Sequence, residues 1–166
     1  MCYNAFTEKA RTQQIAREDT RVYKICMTTN HMVVSYHRNY VYVPLEITNE
    51  IGITFAKKNG LEVVEDGYHS YKSCKWGTRC ISIWNIPAIV EDRIVTYYNL
   101  SNIVIAEFII PKNTVYYQNN NGEIVSEQIM FTGIIHKPII HDDGSIESVK
   151  IDLNEENRTV STKTVR

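Results

Sequence analysis

Hydrophobic and polar positions alternate with a period of two over much of this chain. In TRVYKICM, residues 20–27, Val22, Lys24 and Cys26 fall on one side and Tyr23, Ile25 and Met27 on the other, which predicts a strand rich in β-formers. HMVVSY (31–36) and NYVYVPLEI (39–47) read as further strands, with Pro44 putting the second at an edge or a bend. LEVVEDG (61–67) is a short strand ending in a turn. The clearest block is 101–135. There SNIVIAEFII is a nearly continuous apolar run of strand length, IPKNT a turn, TVYYQ a strand, NNNG a tight hairpin turn and EIVSEQIMF the returning strand. HDDGSIE (141–147) is another turn, and SVKIDL follows as a strand.

Three stretches carry helical signals. NAFTEKARTQQIA (4–16) lacks Gly and Pro and has Asn4 or Thr7 as a cap. TNEIGITFAKKNG (48–60) places Thr48 as cap, Ile51 and Phe55 on one face and Gly60 as terminator. AIVEDRIVTYYN (88–99) follows Pro87. There is no internal repeat. Strands without regular βαβ alternation predict an α+β fold: a mainly antiparallel twisted sheet with two or three short helices. The expected organisation is one compact domain over 1–153 and a polar, frayed tail over 154–166.

A length of 166 residues suits one domain with its own core, and 43% hydrophobic with 22% charged residues is ordinary for a globular chain. The formal net charge of -1 argues against tracking an extended nucleic acid. No apolar run approaches the roughly 18 residues of a membrane helix, and the first residues are too polar for a secretory signal, so a cytoplasmic location without membrane contact is expected. Cys2, Cys26, Cys74 and Cys80 match no zinc spacing, and in a reducing compartment they are expected to be free thiols. Tyrosine is over-used, 11 against 4 phenylalanines, which suits half-buried strands and the walls of a ligand pocket.

Four stretches carry candidate chemistry. EDGYHSYKSC (65–74) gathers Tyr68, His69, Ser70, Tyr71 and Lys72 just past a strand end, a cluster suited to holding a phosphate or a ribose. On the strand RVYK, Arg21 and Tyr23 share a face, where a cation and an aromatic ring can pair with and stack on a nucleotide. Tyr116, in the hairpin TVYYQ, adds an aromatic wall. In EIVSEQ, Glu127 shares a strand face with Glu123 and can orient a ribose hydroxyl or stabilise an oxocarbenium-like centre. Each has a plain structural alternative: a packed turn, solvated strand decoration, exposed hairpin carboxylates. Cys2 is a nucleophile only if Met1 is removed, and HDDG lacks the remaining ligands of a calcium loop. There is no phosphate-cradling glycine loop and no HExxH, so neither a metal nor a cofactor is expected.

The ordered set MCYNAFT, VYKI, EDGYHSYKS and VIAEFIIPKNTVYYQNNNGEIVSEQI resembles an uncharacterised family of small proteins from gut bacteria and their phages, over roughly residues 1–130. The resemblance implies a phage accessory role and points to His69, but supplies no activity. A fainter likeness is to ADP-ribosyltransferases, through the order Arg21, Ser70, Glu127; the Ser-Thr-Ser segment is missing and the glutamate lies in Val-Ser-Glu.

The leading expectation is a non-enzymatic module that holds a small nucleotide-like ligand and sequesters a host signal. The alternatives are a nucleotide-processing enzyme using His69 and Glu127, and a protein-binding accessory. Self-association into a homo-oligomer is compatible with each.

Overall fold

The computed structural model describes residues 12–29, 32–35, 40–44, 54, 56–64, 68–70, 82–84, 102–118, 123–126 and 128–155. These residues form β1 (Thr12–Ile15), β2 (Thr20–Thr29), β3 (Met32–Ser35), β4 (Tyr40–Tyr42), β5 (Glu62–Val64), β6 (Tyr68–Ser70), β7 (Ser82–Trp84), β8 (Ile103–Ile110), β9 (Val115–Gln118), β10 (Glu123–Ser126), β11 (Gln128–Ile140) and β12 (Ile146–Asp152). All pairings are antiparallel except β4 with β5.

Three long strands make the spine. β8 lies between β2 and β11, running from Thr20↔Ile110 to Met27↔Ile103 on one edge and pairing Met130–His136 on the other. Each outer spine strand is bordered by two different partners. β2 takes β7 at Tyr23 and β3 from Cys26 onward. β11 takes β6 at Gln128–Met130 and β12 from Ile134 onward. Beyond β7 the sheet continues through β10 and β9 to β1.

The alternation along β2 and β8 sorts side chains into two apolar clusters. Val22, Cys26, Val104, Ala106, Phe108 and Ile110 point into the first, with Phe131 and Tyr42. Its centre is aromatic: the Phe108 ring lies 4.9 Å from Tyr42, edge-on, and 5.4 Å from Phe131. Ile25, Met27, Ile103 and Ile105 point into the second, which Ala56 of a short helical turn covers, with Tyr23 and Leu61 packed at its rim. A spine buried on both faces explains why β8 reads as a continuous apolar run rather than a clean alternation.

The α+β expectation is overturned: the fold is β-rich, with two small helices. Within the stretch expected as a helix over 4–16, Thr12–Ile15 is strand β1, paired with Val115–Gln118. Local composition favoured a helix there, but cross-strand contacts decide: the Tyr116 hydroxyl donates to Gln14 Oε1 at 2.8 Å, and Gln14 Nε2 donates to Gln118 Oε1 at 3.3 Å. In the stretch 48–60, Thr54 and Ala56–Lys58 are helical, and Gly60 at φ 67° ends the turn before β5. The helix expected over 88–99 lies outside the described residues. Leu153–Glu155 is the second helical turn; Leu153 and Asn154 are buried in it, and residues 156–166 of the expected tail lie outside the described residues.

Candidate functional site

At the middle of the middle strand stands the one acidic residue of the apolar run IVIAEFII. Glu107 pairs with Tyr23 on β2 and is only 5% exposed. On its other side β11 is irregular. Phe131 pairs with Phe108 and Ile135 with Ala106, so Thr132, Gly133 and Ile134 together face Glu107. This is a β-bulge, a device that re-aims side chains. Gly133 sits at φ 92°, where an added Cβ would collide with the Asn154 side chain, so glycine is required there. The bulge turns Thr132 onto Glu107: its hydroxyl is shared between Glu107 Oε2 at 3.1 Å and the Glu107 carbonyl at 3.2 Å. The same hydroxyl accepts the Ile134 N–H at 3.2 Å, and Asn154 Nδ2 donates to the Thr132 carbonyl at 3.0 Å.

Opposite Thr132, the Tyr23 hydroxyl makes a long contact of 3.5 Å to Glu107 Oε1. His136 pairs with Ile105 and brings its ring to 6.1 Å from that of Tyr23, tilted by 58°. Arg21, exposed, lies two residues before Tyr23 on the same face of β2. Burial pushes the Tyr23 phenol pKa up, the Glu107 charge and hydrogen bond push it further, and Arg21 pulls it back. Among the described residues no cation makes an ion pair with Glu107. A carboxylate has about four acceptor sites, of which the two described hydroxyls use two. The face therefore changes character along the spine: apolar under Ala56, then a carboxylate flanked by two hydroxyls, with an imidazole beside the tyrosine, then a guanidinium at its end.

Among the described residues, the sequence-expected Arg21 and Tyr68 fall in one cross-strand row, through Ile109 and Met130. Arg21 and Tyr23 belong to this cluster. Tyr116 packs against the first apolar cluster, whereas Tyr23 packs against the second, so the two tyrosines do not line one pocket. Tyr68, His69 and Ser70 form β6, opposite Met130, Ile129 and Gln128. Tyr71, Lys72 and Glu127 lie outside the described residues, as do Cys2, Cys74 and Cys80. Cys26 is buried in the first cluster, and its thiol is pushed up to about 12 by that burial. HDDG closes as a turn, with Gly144 N–H donating to the His141 carbonyl at 2.9 Å. Among the described residues no group of three His, Cys, Asp or Glu is placed to hold a metal.

Sequence reasoning missed Glu107, Thr132 and His136. Glu107 had a visible signal, a lone charge in an apolar run, since a charge is rarely buried without a role or a partner. Thr132 and His136 had none, because only the bulge brings them round.

No protein-family model matches the chain, and no curated protein or solved structure does either. Among the described residues no helix is long and apolar enough to cross a membrane.

Proposed function

We propose that the protein is a small-molecule binding module, that its site is the Glu107 cluster, and that its ligand is nucleotide-like. The observation that carries this reading is a buried carboxylate, held by the Tyr23 and Thr132 hydroxyls, in line with an exposed arginine on the same sheet face. Arg21 and Tyr23 are about 7 Å apart along the strand, so one ligand spans both ends of the cluster. Glu107 accepts from ribose hydroxyls or from base N–H groups, Tyr23 and His136 offer ring faces, and Arg21 pairs with a phosphate in a fork geometry. The family resemblance supplies the setting: a phage accessory protein that sequesters a host signalling nucleotide in the host cytoplasm.

Native mass spectrometry against a panel of nucleotides, cyclic nucleotides and NAD derivatives tests the reading. The expected result is an adduct at micromolar ligand, with the ligand recovered intact. Glu107→Gln and Arg21→Ala should each weaken it about tenfold or more, since each removes a charge-assisted hydrogen bond. No adduct with any member of the panel would overturn the proposal. Recovery of altered ligand would replace it with the enzyme reading and send attention to His69 and Glu127.

A further inference from the structure

The hairpin β11–β12 outlasts the sheet that carries it. β8 stops pairing β11 at His136, whereas β12 continues to pair it to Ile140, so among the described residues the ribbon is two-stranded there. Directly paired residues share a face. Ile135 and its partner Ile151 face the first apolar cluster. On that same face, further out, come Lys137 opposite Val149 and Ile139 opposite Glu147. Ile139 and Val149 are 39% and 38% exposed, two of the three large hydrophobic side chains exposed among the described residues. The core-side face of the ribbon thus runs out of the core and stays half apolar, with Ile139 and Val149 partly open to solvent.

We propose that this face binds a second copy of the same chain. The argument is its charge pattern. Lys137, Val149, Glu147 and Ile139 form a four-cornered patch in which Ile139 and Val149 occupy one diagonal and the opposite charges the other. A two-fold axis along the Ile139–Val149 diagonal sets Ile139 against Ile139 and Val149 against Val149. It also brings each Lys137 over the other copy's Glu147. The patch is self-complementary under the commonest symmetry of protein dimers, and the two ribbons cross nearly at right angles, an established sheet packing. Glu147 Oε2 already meets His141 Nε2 at 2.9 Å, which fixes the carboxylate and leaves Oε1 for the incoming lysine. The patch is small, so the dimer it makes is concentration-dependent rather than obligate.

Sedimentation velocity on the whole chain, from micromolar to millimolar concentration and at low and high salt, reads this directly. The expected result is a monomer–dimer equilibrium that weakens with salt. Lys137→Glu and Glu147→Lys should each weaken it about tenfold through like-charge contacts, and the double exchange should restore it. Val149→Asp should abolish it while leaving the unfolding midpoint unchanged. A monomer at every concentration, including one that uses this face to capture a different protein, overturns the proposal. So does a dimer indifferent to these changes, or one that the double exchange fails to recover.

Discussion

Phe108 and Glu107 are neighbours in sequence and face opposite ways from the middle of the same strand. Phe108 meets Tyr42 and Phe131 in a fully buried aromatic contact. Glu107 meets two hydroxyls at a bulge. One strand holds both, so the difference lies in what each face meets. The first face gains by excluding water from large apolar surfaces. The second accepts the cost of a buried carboxylate, and hydrogen bonds alone do not make that a gain in stability. On the proposed reading, that cost serves ligand binding.

The contrast can be broken most sharply on the first face. Phe108→Ala should lower the unfolding free energy by about 3–5 kcal/mol, a large part of the roughly 5–15 kcal/mol of a typical domain, in a urea titration. A loss under about 1 kcal/mol would mean that this face is not the stabilising one. On the second face Thr132→Val should cost about 1–3 kcal/mol, because Glu107 Oε2 and the Ile134 N–H lose a partner. Thr132→Ser keeps the hydroxyl and should cost less; equal losses would show that the methyl, not the hydroxyl, matters.

The smallest effect comes from pH. Cys26 keeps its proton to about 12 in the fold, against an ordinary thiol value of 9.0. The folded state then holds a proton that the unfolded chain has released, so this share of stability is complete below 9 and falls as pH rises towards 12. At pH 10 the loss should be about 1 kcal/mol. Cys26→Ala should flatten the dependence between pH 8 and 10, whatever its own effect at neutral pH. Tyr23 is raised from 10.0, so its share of stability is lost only above pH 10; Glu107→Gln, which removes a charge that raises it, should make that share smaller. Identical pH profiles for wild type and Cys26→Ala would dismiss the thiol as the source.

The spine was readable because its signal is local: period-two alternation in β2 and a dense apolar run in β8 each suffice to name a strand. What could not be read depends on distant partners. TQQI has one apolar residue in four and looks helical until Ile15 meets Val115, 100 residues later. EIVSEQIMF reads as one strand, yet it divides after Ser126, whose buried hydroxyl donates to the Gln128 carbonyl at 2.6 Å and accepts the Gln128 N–H at 3.3 Å. That local closure competes with the ladder, and serine in a strand does not announce it. At the candidate site Arg21 and Tyr23 were legible from strand parity. Glu107 was visible but went unweighed, and its partners depend on Gly133 taking a conformation that FTGII does not advertise.

The pairing of β2 with β8 also sets a timetable. Thr20 waits for Ile110 and Met27 for Ile103, that is, for 90 and 76 further residues. At roughly 5–20 residues per second, a newborn chain spends about 4–18 s with β2 made and its long edge open. Val22, Ile25 and Cys26 are uncovered throughout that interval, since the strand that completes their burial has not been synthesised. The period of greatest exposure to aggregation therefore falls during translation, before any of the finished sheet's stability exists to prevent it.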